Sequence, residues 1–271
     1  MKLTPIAKIS LVAMTILSTL GLAACSFNSS DQAQSNASNT VFDQKSSVQV
    51  FAAASLNSAG AELEKAFEES HPNTDISFNY AGSSKLVQQI QQGATPDILV
   101  TADQSTMDGA VKNVDDLHDA KPTVVATNQL VLASAADNPA HLNSVKDLKS
   151  SDATVALCAA EVPCGNLAHQ ELSDQNIELT NVTEEKNVSD VATKVSSGAV
   201  DAGFIYSTDA ARIKKEQNIT VIDLPDLEKN VYPMALTSAG EKNSAAEEFA
   251  KWLSGDEAQN ILKKYDFGSA K

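Results

Sequence analysis

The sequence predicts a mostly parallel α/β fold for the part of the chain that begins near Val48. Short apolar runs recur along this part, and most are followed by a segment in which apolar residues return about every 3.6 positions. Strands that alternate with helices form parallel sheets with helices on their faces. In such sheets, ligands bind beyond the carboxyl ends of the strands. A binding site is therefore expected at the strand-to-helix turns.

Seven strands are predicted from the apolar runs, some of which alternate apolar and polar residues as half-buried strands do. Turn-forming residues such as Gly, Pro, Asn, Asp and Ser bound most of these runs. The strands cover residues 48–53, 75–80, 97–101, 129–133, 154–157, 202–206 and 231–236.

Helices are predicted between the strands from apolar residues that share one helical face. His71 with Pro72 ends the first helix, Gly93 and Gly198 end two later helices, and Asp103 is placed to cap another. The predicted helices cover residues 56–70, 84–92, 188–197 and 244–265, with further helices after Asp103, Gly165 and Ser207.

Residues 1–24 are predicted to be a signal peptide. Lys2 and Lys8 flank the start of an apolar run that is too short for a comfortable membrane span. The run ends in LAAC, which resembles the lipobox of bacterial lipoproteins. This resemblance implies that Cys25 is lipidated and anchors the mature protein at the extracytoplasmic face of the cell membrane. Residues 25–47 are polar and are predicted to form a flexible tether.

The net charge limits the kinds of partner. The whole chain carries a formal charge of −15, and removal of Lys2 and Lys8 with the signal peptide leaves −17. Nucleic acid is not an expected partner, because a phosphate backbone requires a basic surface. An anionic ligand is therefore expected only at a site where the electrostatic field comes from local dipoles and not from the net charge of the chain.

The two cysteines that remain are Cys158 and Cys164, six positions apart. Outside the cytoplasm, such a pair favours a disulfide over a metal site or a catalytic thiol. The two cysteines do not have the CxxC spacing of a zinc site, and no nearby histidine completes a zinc-binding pattern with them.

Four predicted strand-to-helix turns have small or neutral residues at the start of a helix. Unpaired N–H groups and the positive end of the helix dipole favour an anion there. Tyr206 adds a phenol at the end of a strand, and Asp190 is expected to point outward. Converging neutral donors suit a small, fully deprotonated oxyanion. The turns are residues 54–56, 82–84, 162–165 and 187–191.

Around these turns the chain resembles the molybdate-binding proteins of ABC importers. The stretches that carry the resemblance are VFAAASL, YAGSSKLVQQI, ALCAAEVPCGN, VSDVATKV, FIYSTDA and VYPMAL. The resemblance implies a two-lobed type II periplasmic-binding-protein fold. Lobe I would contain residues 48–127 and 233–271, and lobe II residues 128–232. The chain would cross between the lobes near Asn128 and Tyr232.

The resemblance also implies the ligand-binding residues. Ser55 and Ser83 would donate hydroxyl and backbone N–H groups. Cys164 and Val191 would donate backbone N–H groups, and Tyr206 would donate its phenol hydrogen. Ser84 remains an alternative to Ser83. The family more often has alanine at the position of Cys164, so the resemblance does not predict the shape of the binding site beside this residue. No cofactor and no direct protein ligand of the metal atom are implied. The residues are Ser55, Ser83, Cys164, Val191 and Tyr206.

The function expected from the sequence is a lipid-anchored, monomeric receptor that captures molybdate, and also tungstate, for an ABC permease and its ATPase. A binding protein for another oxyanion such as sulfate remains an alternative. An enzyme is not expected. A serine hydrolase using Ser55 or Ser83 would need a G-x-S-x-G motif and a late histidine, but the last histidine is His169.

Overall fold

The computed structural model describes residues 45–270. The predicted signal peptide, Cys25 and nearly all of the predicted tether lie outside this range. The strands are β1 (Ser46–Ala53), β2 (Thr74–Ala81), β3 (Ile98–Val100), β4 (Thr123–Asn128), β5 (Leu130–Ala136), β6 (Val155–Cys158), β7 (Val182–Glu185), β8 (Ala202–Tyr206), β9 (Ile219–Asp223) and β10 (Asn230–Leu236).

Eight α-helices alternate with these strands in the described range. They are α1 (Asn57–Ser70), α2 (Ser83–Gln91), α3 (Gln104–Asn113), α4 (Pro163–Asp174), α5 (Val188–Ser196), α6 (Ser207–Lys214), α7 (Ser244–Leu253) and α8 (Asp256–Lys264). A single 3-10 turn, Ala54–Leu56, joins β1 to α1. None of the helices between residues 45 and 270 is long and apolar enough to cross a membrane.

The strands form two five-stranded sheets. The first has the order β2-β1-β3-β10-β4 and the second the order β7-β6-β8-β5-β9. Four strands of each sheet run in one direction, while β10 in the first sheet and β5 in the second run against them. The predicted fold class, a mostly parallel α/β architecture, is confirmed.

The chain passes between the sheets twice. It leaves the first sheet after β4 and enters the second at β5, with Gln129 between them. It returns between Asp223 and Asn230, before β10. Tyr232, predicted to end lobe II, pairs with Ala126 of β4 in the first sheet. The predicted return near Tyr232 is therefore corrected to the earlier segment, residues 224–229.

All seven predicted strands are present, and the three strands that were not predicted are β4, β7 and β9. Each of them lies at the edge of a sheet. Edge strands bury fewer side chains, so their apolar pattern is weak; β7 is partly exposed along its whole length. The predicted helix 244–265 is divided at Ser254 and Gly255 into α7 and α8. Strand β1 begins at Ser46, inside the predicted tether.

Helix α5 packs closely on the central strand of the second sheet. Gly203 in β8 permits this approach, because a Cβ built there would lie 2.6 Å from Val195 Cγ2 and 2.8 Å from Val191 Cγ1. Both valines are fully buried. The side chains of α5 are thus fixed against the sheet, and its first turn projects beyond the strand ends.

We expect Gly203→Ala to destabilise the protein by about 1–3 kcal/mol, because the added methyl group overpacks the contact between β8 and α5. Gly109→Ala is the control: its Cβ would meet nothing within 4 Å, and alanine within helix α3 should be neutral or stabilising by up to about 1 kcal/mol. Urea unfolding measures both. Equal stability of the two variants would contradict the packing described.

Candidate functional site

The site is a cavity at the carboxyl ends of strands from both sheets. Each lining segment lies at the end of a strand or in the turn that follows it, where a fold of this class is expected to bind ligands. The lining residues are Ala53, Ala54, Ser55, Gly82, Ser83, Ala102, Val162, Pro163, Cys164, Asn187, Val188 and Tyr206.

The cavity is small and its lining contains no charged side chain. Its volume is about 10 Å³, which by the same measure is about the room for one water molecule. Pockets for drug-sized organic molecules span roughly 300–1,000 Å³. A cavity of this size favours a compact inorganic ion over a sugar or a peptide.

Ser55 is positioned by the 3-10 turn that ends β1. It is buried, and its Oγ lies 2.7 Å from the hydroxyl of Tyr232. No side chain caps the start of this turn. The turn therefore directs the serine hydroxyl and uncapped backbone toward the cavity.

Ser83 is the first residue of α2, and Gly82 at the N-cap provides no side-chain cap. The backbone N–H of Ala102 donates to Ser83 Oγ at 3.0 Å. Because this N–H can only donate, Ser83 Oγ is an acceptor in that bond and its own hydrogen is free for the cavity. Ser84 does not line the cavity; its hydroxyl donates to the Glu161 carbonyl at 2.5 Å.

The two sides of the cavity meet closely beside Ser83. The Ser84–Glu161 bond joins the turn after β2 to the turn after β6. A Cβ built on Gly82 would lie 2.4 Å from the backbone oxygen of Lys186, so glycine permits the approach of these backbones. Ser189 Oγ also donates to the Ala54 carbonyl at 3.5 Å. These contacts hold the turns of the two sheets against each other beside the cavity.

Cys164 is the second residue of α4, after Pro163 at the first position. Its sulfur is bonded to Cys158 at the end of β6, as the spacing predicted. The first backbone bond of this helix runs from Asn166 N–H to the Val162 carbonyl. The N–H groups of Cys164 and Gly165 thus have no partner within the helix. The disulfide leaves only the backbone N–H of Cys164 for a ligand.

Val191 is not brought to the cavity. It occupies the fourth position of α5, where an N–H bonds within the helix, and its side chain packs over Gly203. Val188, the first residue of α5, lines the cavity instead. Both valines lie in the stretch NVSDV, so the sequence left open which of them begins the helix. The signal that was missed is Asn187, whose side chain caps the helix by accepting from Asp190 N–H at 3.0 Å and so makes Val188 the first helical residue.

Asp190 keeps its charge out of the cavity. The residue is exposed, and the Asn187 side-chain amide donates to its carboxylate at 3.0 Å. Both polar ends of the Asn187 side chain are thereby paired with Asp190. The prediction that Asp190 points outward is confirmed, but Asn187 and not Asp190 is the N-cap.

Tyr206 ends β8 and contributes a hydroxyl group that has no hydrogen-bond partner among residues 45–270. The side chain is buried, and an unpaired buried hydroxyl costs about 1–3 kcal/mol. Burial raises the pKa of this phenol well above its usual value, with Tyr232, Asp103 and Asp209 acting in the same direction. The hydroxyl therefore keeps its proton and can donate it to a bound acceptor.

Asp209 lies in the first turn of α6, three residues after Tyr206. It is buried, and its Oδ2 has no partner among the described side chains and backbone groups. Burial raises the pKa of this carboxyl to about 7, while Arg212 and the Tyr206 backbone N–H act to lower it. Near neutral pH a large share of Asp209 is uncharged, which limits repulsion of an anion near Tyr206.

Among residues 45–270, no hydrogen bond joins Ser55 or Ser83 to a histidine, and no group of three or more His, Cys, Asp or Glu residues is placed to hold a metal ion.

Comparison with known proteins agrees with this arrangement. Residues 48–268 match the family model of the bacterial extracellular solute-binding proteins. The molybdate-binding protein of Mycobacterium bovis is 35% identical over 91% of this chain and 92% of its own length. A putative ABC transporter substrate-binding lipoprotein of Bacillus subtilis is 30% identical over 86% of this chain and 90% of its own length.

A solved structure shows the same fold. The periplasmic molybdate-binding protein of Azotobacter vinelandii aligns with a TM-score of 0.72 and 20% identity, over 81% of this chain and 98% of that one. The chain therefore belongs to the bacterial extracellular solute-binding proteins, a family of binding proteins and not of enzymes.

We expect the buried Asp209 carboxyl to make stability depend on pH. Because folding raises its pKa from 3.8 to about 7, its contribution is fully present below pH 3.8 and is lost as the pH rises through about 7. Asp209→Asn should remove this part of the dependence. Urea unfolding of both proteins between pH 4 and pH 8 measures it. Parallel pH profiles for the two proteins would contradict the assigned pKa.

We expect the Cys158–Cys164 disulfide to contribute about 2 kcal/mol to the free energy of unfolding, from the chain-entropy estimate for a loop this short. The double variant Cys158→Ser, Cys164→Ser should lose that amount in urea unfolding under oxidising conditions. A reductant should lower wild-type stability and leave the double variant unchanged. Two free thiols in unreduced mature protein, found by mass spectrometry, would rule the bond out.

Proposed function

We propose that this chain captures molybdate, and also tungstate, outside the cytoplasm and delivers it to an ABC importer. The observation that carries the proposal is the cavity itself, which has no charged side chain in its lining and is lined by several hydrogen-bond donors. Tyr206 has an unpaired hydroxyl, Ser83 has a free hydrogen, and three helical segments begin there without a side-chain cap. Together these groups solvate an anion in place of water.

The residues that we propose as ligand contacts are those that line the cavity. Ser55 and Ser83 would donate hydroxyl and backbone N–H groups, Cys164 its N–H, and Tyr206 its phenol. We assign the fourth helix start to the N–H of Val188 instead of Val191, because Val188 is at the cavity. The metal atom would be reached only through the oxygens of the anion.

The donor-rich lining favours tetrahedral anions that carry no proton. Molybdate near neutral pH is a dianion with four acceptor oxygens, so it can satisfy every donor. Phosphate carries a proton at that pH and requires an acceptor, and an unpaired buried polar group costs about 1–3 kcal/mol. Sulfate has the right charge but is smaller than molybdate, so a site whose turns are spaced to fit molybdate would contact sulfate with fewer of its donors.

The relatives support molybdate as the ligand. The protein from Mycobacterium bovis is named for molybdate binding and aligns over nearly the whole of both chains. The Bacillus subtilis relative is described as an ABC transporter lipoprotein, which supports a lipid-anchored form. We propose accordingly that Cys25 is lipidated and that residues 25–47 tether a monomeric receptor to the outer face of the cell membrane.

The two sheets support a two-lobed receptor that closes on its ligand. We propose that lobe I contains the first sheet with α1, α2, α3, α7 and α8, and that lobe II contains the second sheet with α4, α5 and α6. The cavity lies where turns from both lobes meet. A closed receptor would present a defined surface to the permease and ATPase subunits of the importer.

We expect Ser55→Ala, Ser83→Ala and Tyr206→Phe each to weaken molybdate binding by about 1.5–3 kcal/mol, roughly ten- to a hundredfold, because each removes a hydrogen bond to a charged ligand. Ser70→Ala and Tyr265→Phe remove hydroxyls outside the cavity and should bind as the wild type does. Calorimetric titration of mature protein measures all five. Wild-type affinity in the three cavity variants would refute the proposed site.

A further inference from the structure

A buried chain of hydrogen bonds reaches Ser55 from the point where the protein crosses between its sheets. Asn128, the last residue of β4, donates through Nδ2 to the Tyr232 hydroxyl at 3.2 Å. The Tyr232 hydroxyl lies 2.7 Å from Ser55 Oγ. All three side chains are buried, at 3%, 0% and 2% exposure respectively. Tyr232 and Asn128 do not line the cavity themselves.

The orientation of the Asn128 amide follows from its neighbours. The Gln129 backbone N–H points at Asn128 Oδ1 at 2.9 Å and can only donate, so this atom is the oxygen. The Ser207 hydroxyl donates to the same oxygen at 2.9 Å. Asn128 Nδ2 must then face Tyr232 and Thr208, and it donates to Thr208 Oγ1 at 3.0 Å.

The direction of the Tyr232–Ser55 bond follows in turn. The Tyr232 oxygen accepts from Asn128, so the phenol hydrogen needs an acceptor elsewhere. Ser55 Oγ, 2.7 Å away, is placed to accept it. The Asn230 side chain also lies against this hydroxyl, but its Nδ2 donates to the Ala102 carbonyl at 2.9 Å. We therefore assign the phenol hydrogen to the short contact with Ser55, which leaves no buried hydrogen unpaired. Burial also raises the pKa of Tyr232, while Ser55, Asn128 and Asn230 act to lower it, and the phenol keeps its proton.

We propose that Tyr232, oriented by Asn128, is a specificity-determining positioning residue that directs the Ser55 hydroxyl hydrogen to the ligand. Tyr232 occupies one of the two acceptor lone pairs of Ser55 Oγ, so the serine turns its own hydrogen toward the cavity. This inference rests on the proposed function and adds a residue outside the cavity that favours fully deprotonated oxyanions.

The same hydrogen-bond network also connects the two sheets that form the site. Asn128 belongs to the first sheet, whereas Ser207 and Thr208 begin α6 directly after Tyr206 in the second. Ser55 and Tyr206, donors from opposite sheets, are thus connected through one amide. Asn128 therefore orients Ser55 through Tyr232, and it also holds the first turn of α6, which follows Tyr206.

The test is Tyr232→Phe, which keeps the ring and removes the hydroxyl. Without its donor, Ser55 Oγ can accept the proton of phosphate. We expect molybdate to bind about tenfold more weakly and the ratio of phosphate to molybdate dissociation constants to fall by about tenfold or more. Molybdate titration and displacement by inorganic phosphate measure both constants, with Tyr265→Phe as the matched control.

A double-mutant cycle separates positioning from a general structural role. If Tyr232 acts through Ser55, Tyr232→Phe should change molybdate affinity by less than about twofold in a Ser55→Ala background. An equal effect in both backgrounds, or an unchanged phosphate-to-molybdate ratio in the single variant, would overturn the inference. Failure of the wild type to bind molybdate would instead overturn the proposed function.

A second variant serves if Tyr232→Phe does not fold, as judged by circular dichroism. Asn128→Asp has the same shape but presents an acceptor to Tyr232, which draws the phenol hydrogen away from Ser55. The added charge should weaken every anion, while the phosphate-to-molybdate ratio should again narrow by about tenfold. A ratio equal to that of the wild type would contradict the role assigned to Tyr232.

Discussion

The proposed site depends on one constraint, which is that neighbouring groups of the protein hydrogen-bond the two cavity serines and direct the serine hydrogens to the ligand. Ala102 N–H donates to Ser83, and Tyr232 is bonded to Ser55. Helix starts without side-chain caps add backbone donors at the same point. The lining therefore presents mainly hydrogen-bond donors to a ligand. An anion that carries no proton fits this arrangement best.

This constraint explains how a chain with a net charge of −15 can bind an anion. No charged side chain lines the cavity. The electrostatic field at the ligand is therefore set by backbone dipoles, such as those at the helix starts. Asp190 is turned outward and paired with Asn187, and burial favours the uncharged form of Asp209. The protein excludes its own negative charge from the ligand while it remains strongly acidic on its surface.

The sequence predicted the central strands and the turns at their ends, because small residues at strand ends are a local signal, and the family resemblance implied four of the five residues now proposed as contacts. It failed where the answer depends on tertiary partners. Edge strands such as β7 bury little and leave a weak pattern. Val191 and Val188 are one helical turn apart, and only the Asn187 cap shows which begins the helix. Tyr232 could not be found, since its partners lie 104 and 177 positions away.

The most direct test of the donor-rich cavity is competition between oxyanions for the mature wild-type protein. Calorimetry should show tight binding of molybdate and tungstate, weak binding of sulfate, and no displacement of bound molybdate by a large excess of phosphate at neutral pH. Displacement of molybdate by phosphate would show that the cavity offers an acceptor, and would contradict selection by a lining that presents mainly donors.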